Sequence, residues 1–168
     1  MFFKSTILVH MPKYITKSAK ETQKLGENFA RYLSSPRKRG SRVSVKILDS
    51  RLHGNDNLAT VLALQGDLGA GKTSFLQGFA KGLGIEEKIL SPTFVIMKRF
   101  GNFYHFDCYR INKPEEILEL GFKEIVSNPK NIVAIEWPEK IKKYLPKEAI
   151  KIKFKFIDEQ TRELTFNI

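Results

Sequence analysis

Eight residues, Gly66-Asp67-Leu68-Gly69-Ala70-Gly71-Lys72-Thr73, constrain the fold of this chain more than any others. They stand between an unbroken apolar run, ATVLALQ, and a segment with helical spacing, FLQGFAKGLG. A continuous apolar run of that length suits a strand covered on both faces of a sheet. A glycine-rich turn from such a strand into a helix aims unpaired backbone N–H groups at one point, which makes a cradle for phosphate oxygens. In a cradle of this pattern the lysine, here Lys72, lies along the β and γ phosphates of a nucleotide, and the Thr73 hydroxyl ligates magnesium. The bland reading is a glycine-rich turn that happens to end in Lys-Thr. With glycine at about 7% of residues in proteins generally, a chance match to the full pattern is rare, and the strand and helix around it make it rarer.

The rest of the chain supplies a mixed set of elements. KSAKETQKLGENFARYL has helical spacing, with Ser18 as N-cap and Glu21 as its capping-box partner. TFVIMKRF and FYHFDCYR flank the turn signal Gly101-Asn102 and read as a hairpin. Pro114 to Leu120 and Phe122 to Ser127 read as short helices, NIVAIEW as a second buried strand, and PEKIKKYL as a short helix opened by proline. KIKFKFI alternates lysine with apolar residues and can pair with RELTFNI. The expected fold is a P-loop NTPase-like α/β three-layer sandwich on a mixed, mainly parallel central sheet with an antiparallel hairpin. Its site should lie at the carboxyl ends of the central strands.

Composition bounds the rest. A length of 168 residues, with 42% hydrophobic and 28% charged residues, suits one soluble globular domain, taken as 11–168 with the first ten residues as an extension. Cys108 is the only cysteine, which excludes an intramolecular disulfide and a thiolate metal site. With no run near eighteen apolar residues and no cleavable leader pattern, the expectation is a cytoplasmic protein without a membrane partner. The net charge of +11 suggests an acidic partner, yet nearly half of it sits between Ser34 and Arg51. That basic tract belongs to an aperiodic segment, 34–57, read as an insertion loop; such a tract is either an RNA footprint or simply solvated.

Hydrolysis or transfer needs an acidic group to hold magnesium and something to orient the attacking group. Asp107 and Glu136 stand at suitable strand ends, where the alternative is a carboxylate closing a turn. Thr93, in Ser91-Pro92-Thr93, lies where a P-loop protein places a loop that senses the γ-phosphate, although such a turn is also ordinary loop chemistry. His105 reads as a packed or hydrogen-bonded imidazole rather than a base. Trp137 reads as core or as a contact surface near the nucleotide. No Asn-Lys-x-Asp tetrad for guanine is present: the nearest stretch, Asn112-Lys113-Pro114-Glu115, carries the wrong acid. Adenine is therefore the expected base.

Taken together and in this order, GDLGAGKTSF, SPTF, HFDCYR and IEWPE resemble the TsaE family, also called YjeE, over the chain from about Tyr14 onward, excluding the basic insertion. The resemblance implies a small Mg2+-dependent ATPase required for threonylcarbamoyladenosine modification of tRNA. It implies that Gly69, Ala70, Gly71, Lys72, Thr73 and Ser74 hold the phosphates of ATP, that Thr73 and Glu136 ligate magnesium, and that Asp107 organises metal and water. It further implies that Thr93 belongs to a switch-like loop, that Trp137 lies beside the site, that Thr16 and Ser18 lie near the adenine, and that Arg162 approaches the nucleotide. The implied partners are a TsaD-type synthase and a TsaB-type protein, with tRNA reached indirectly or weakly. Cys108 replaces the family's usual Leu and Ser74 its usual Thr, neither of which removes a required group. The rival readings are a small-molecule kinase on the same scaffold and a nucleotide-stabilised scaffold or RNA-binding module.

Overall fold

The structure, a computed structural model, describes residues 12–34, 57–87, 89 and 95–167. The first ten residues, nearly all of the basic insertion and the Ser91-Pro92-Thr93 turn lie outside the described residues. In chain order the elements are β1 (Lys13–Thr16), α1 (Ala19–Ser34), β2 (Thr60–Gln65), α2 (Lys72–Gly82), β3 (Met97–Phe100) and β4 (Phe103–Asp107). Then come α3 (Glu116–Glu119), α4 (Phe122–Val126), β5 (Ile132–Glu136), a 3-10 helix (Pro138–Tyr144), β6 (Ile150–Phe156) and β7 (Arg162–Asn167).

Seven strands form one mixed sheet in the order β1-β7-β6-β2-β5-β4-β3. The four strands β6, β2, β5 and β4 run parallel, and antiparallel pairs close both margins: β3 with β4, and β6 with β7 with β1. Parallel pairing thus holds for the centre of the sheet, and the margins are more antiparallel than the sequence pattern implied. The reason is β1, a four-residue strand with too few residues to display a period, which pairs Lys13 to Thr16 with Thr165 to Arg162.

Alternation along the strands divides the core in two. Leu62, Leu64 and Ala134 pack in one cluster with Phe29 of α1 and Phe75, Leu76 and Phe79 of α2. Val61, Ala63, Val133 and Ile135 pack in the other with Ile117, Phe122 and Ile141 from the short helices. Covering on both faces explains why β2 reads as an unbroken apolar run. At β6 only one face is covered, so Ile152 and Phe154 are buried while Lys151, Lys153 and Lys155 are exposed.

Local chemistry fixes the ends. Ser18 Oγ accepts the Glu21 N–H at 3.1 Å and Glu21 Oε2 accepts the Lys17 N–H at 2.7 Å, which is the expected capping box of α1. Asp158 Oδ1 accepts the N–H groups of Gln160 and Thr161 at 2.9 and 2.7 Å and so shapes the turn from β6 to β7. Among the described residues no helix is long and apolar enough to cross a membrane.

Candidate functional site

The carboxyl ends of β2, β4 and β5 meet on one edge of the sheet. There the chain leaves β2 at Gln65 and turns through residues 66–71 into α2. Gly69 and Gly71 adopt φ values of 75° and 100°, a region that a β-carbon makes costly. Gly71 immediately precedes α2, and no side chain caps that helix. The N–H groups of its first turn are therefore oriented by backbone alone, at the end where the helix dipole favours an anion.

Lys72 opens α2 and is almost fully buried. Its Nζ donates to the carbonyls of Gly66 at 2.5 Å and Asp67 at 2.9 Å, and lies 4.2 Å from the centre of the Trp137 ring. Burial pulls the Lys72 pKa below the ordinary lysine value, and the negative charges of Glu136, Glu139, Asp107 and Asp67 oppose that shift.

Glu136 ends β5 and is likewise buried. Its Oε2 accepts from the Thr73 hydroxyl at 3.5 Å, and its Oε1 lies 2.9 Å from His105 Nε2. Asp107 stands opposite Glu136 in the β4–β5 register, with its Oδ1 accepting the Tyr109 N–H at 3.1 Å. Asp107 thus closes a turn, one of the two readings of its carboxylate, and stands beside Glu136. Among the described residues no group of three or more His, Cys, Asp or Glu is arranged to hold a metal ion. The Thr73 hydroxyl and the Glu136 carboxylate that do meet are hard oxygen donors, and magnesium is usually held by one or two carboxylates together with water and phosphate oxygens. The donor set fits that ion.

Arg162, at the start of β7, reaches the phosphate-type loop. Its Nε donates to the Gly69 carbonyl at 3.0 Å, and its Nη1 donates to Asp158 O at 2.5 Å and Thr161 O at 3.0 Å. Thr16 pairs with Arg162 in the β1–β7 register, and its hydroxyl bonds to that of Thr22 at 2.8 Å. A β-carbon added at Gly71 would meet Arg162 Cγ and Thr22 Cγ2 at 3.5 and 3.6 Å, so these three residues share one corner of the loop. Ser18 is instead engaged as the cap of α1. Ala70, within the loop, is buried, and Ser74 sits half-buried in the first turn of α2. Thr93 lies outside the described residues.

Two features were missed or left open by the sequence. Trp137 has φ 59° and ψ 49°, the only non-glycine residue with positive φ among those described. Such a conformation costs on the order of 1–3 kcal/mol and gathers at functional sites. No motif marks it, although a residue held between a strand-end acid and a helix-opening proline is a position where the chain must turn sharply. His105 is the partner of Glu136, and here a signal existed: period-2 alternation places His105, Asp107 and Glu136 on the sheet face that carries α2.

The family model for threonylcarbamoyl adenosine biosynthesis protein TsaE matches residues 16–164. The tRNA threonylcarbamoyladenosine biosynthesis protein TsaE of Bacillus subtilis is 42% identical over 110 residues, which cover 63% of this chain and 68% of that one. The protein of the same name from Rickettsia typhi is 40% identical over 122 residues, covering 70% and 81% of the two chains. Among solved structures, the crystal structure of Bacillus subtilis YdiB is similar with a TM-score of 0.63 and 29% identity, covering 93% of this chain and 84% of that one.

Proposed function

The chain belongs to the TsaE family of tRNA threonylcarbamoyladenosine biosynthesis, and we propose that it serves that pathway as a magnesium-dependent ATPase on a P-loop NTPase-like three-layer scaffold. The observation that carries this reading is the meeting of Thr73 Oγ1 with Glu136 Oε2 at 3.5 Å, directly under the start of α2. A hydroxyl from the phosphate-binding turn and a carboxylate from a neighbouring strand are the two protein groups that such sites use to hold magnesium beside a triphosphate. Magnesium in that place neutralises charge on the phosphate oxygens. Residues 69–74 bind the phosphates through backbone N–H groups, Lys72 and hydroxyls. Asp107 orients water and metal, Arg162 and Thr16 border the nucleotide, Ser18 lies near the base, and Trp137 and Lys72 keep bulk water from one wall of the site.

The partner pair is a TsaB-type protein with a TsaD-type synthase, and the protein works in the cytoplasm. Support for docking over the site comes from the surface. The large apolar side chains exposed among the described residues are Ile15, Leu68, Val95, Tyr109, Phe156 and Ile157. Each belongs to the edge that carries the site: β1 ends beside Arg162, Leu68 is in the loop after β2, Tyr109 follows β4, Val95 leads into β3 where Ile96 O meets the Asp107 N–H, Phe156 ends β6 and Ile157 follows it. Exposed apolar residues confined to one edge mark a face that a protein covers.

The test is ATP binding by the full chain with and without Mg2+, compared with Lys72→Ala and Glu136→Ala. Lys72→Ala is expected to abolish binding, and Glu136→Ala to leave metal-free binding intact while removing the Mg2+ dependence. Unaltered Mg2+-dependent binding in both variants contradicts the reading.

A further inference from the structure

Resting on the ATPase reading, we propose that His105 is a positioning residue: its Nε2–H holds Glu136 Oε1, so that Glu136 offers magnesium its Oε2 alone, on the side of Thr73. His105 has no exposed surface, and its Nδ1 has no hydrogen-bond partner among the described residues. An imidazole with one partnered nitrogen has one economical tautomer. A hydrogen on Nδ1 would be a buried donor without an acceptor, which costs about 1–3 kcal/mol. The hydrogen therefore sits on Nε2, where the carboxylate oxygen 2.9 Å away accepts it.

The consequence falls on Glu136. A buried carboxylate free to rotate can chelate with both oxygens or swing away from its ligand. Here one oxygen is tied to a ring with no exposed surface, on a strand held in register to β5. The remaining oxygen faces the Thr73 hydroxyl. An ordinary packed histidine would be expected to donate its one N–H to a backbone carbonyl and to accept a hydrogen bond at its other nitrogen. This one leaves Nδ1 without a partner among the described residues and donates from Nε2 to the strand-end carboxylate.

The test follows Mg2+ binding to the complex of the full chain with ATP by titration calorimetry, with the fluorescence of Trp137, the single tryptophan, as a second readout. His105→Phe keeps the bulk of the ring and removes the donor, whereas His105→Gln returns an N–H donor. Expected for His105→Phe is a loss of about 10- to 100-fold in apparent Mg2+ affinity with metal-free ATP affinity unchanged, and for His105→Gln recovery of most of that loss. Equal Mg2+ affinity in the wild type and both variants overturns the proposal. Should the variants not fold, the wild-type ring decides the matter through long-range 1H–15N correlation, with His10 and His53 replaced by Gln: a protonated Nε2 supports the proposal and a protonated Nδ1 overturns it. A wild-type chain that binds no Mg2+ with ATP defeats the ATPase reading itself, a failure distinct from loss of the histidine's effect alone.

Discussion

Lys72 is a charge kept in an unfavourable place. Its ammonium is buried, and burial lowers its pKa from the ordinary 10.5 despite four carboxylates nearby. A lysine whose folded value is depressed binds fewer protons in the fold than in the unfolded chain at any pH between the two values. Stability contributed by this group therefore rises with pH through that window, and its cost is greatest below it. Lys72→Met removes that cost along with the hydrogen bonds to Gly66 and Asp67. We predict that nucleotide binding is lost while the melting temperature at pH 7 changes little. The wild type should gain on the variant as pH is raised toward 10.5; thermal melts of both proteins at pH 7 and pH 10 measure this, and a constant gap contradicts it. Cys108 follows the same logic with the opposite sign. Burial, with Asp107 close by, raises its pKa to about 12, so the thiolate is scarce. A thiol reagent at pH 8 should label the folded protein far more slowly than the unfolded chain, and equal rates contradict this.

At the scale of elements, α1 and α2 approach so closely that glycines form their contact. A β-carbon on Gly78 would stand 1.8 Å from the Gln23 carbonyl oxygen, and one on Gly26 would stand 2.1 Å from that of Phe75. Helix propensity alone favours alanine over glycine by about 1 kcal/mol. Overpacking against a backbone costs about 1–3 kcal/mol or more, so it wins. Gly78→Ala should lower stability in a denaturant titration, and because α2 carries the phosphate turn it should weaken ATP binding as well. A stabilised variant would contradict this packing. Legibility in the sequence followed the strength of local signals. β2, the phosphate turn and α2 were readable because a period and a motif coincide there, and both hairpins were readable from alternation around turn residues. β1 was not, since four residues carry no period and its pairing with β7 joins distant parts of the chain. Nor were Gly26 and Gly78, whose role exists only across the helix interface. Within the candidate site, Thr73, Asp107 and Glu136 could be singled out by type and position, and the structure sets Thr73 against Glu136 and Asp107 opposite it in the register. The tie of His105 to Glu136 needed the β4–β5 register, and the Trp137 backbone needed coordinates.

At the scale of the whole molecule, one edge of the sheet carries the nucleotide-type loop, the buried carboxylate and the exposed apolar side chains together. On the proposed function, a protein that covered those side chains would also close the site and so would tie turnover to assembly. Ile157 is 45% exposed, so Ile157→Glu should leave stability within about 0.5 kcal/mol, as for most surface changes. Its ATP binding should be unchanged and its binding to the partner pair weakened, both readable by calorimetry; full partner affinity contradicts this use of the edge. The central claim, a magnesium-dependent ATPase completed by its partners, is tested most directly by ATP hydrolysis of the full chain alone, with the TsaB-type and TsaD-type proteins, and with both plus tRNA. The account predicts slow turnover alone, stimulation in the assembly, and loss of the stimulated rate in Glu136→Gln. Equal turnover by the lone chain and the assembly would contradict it.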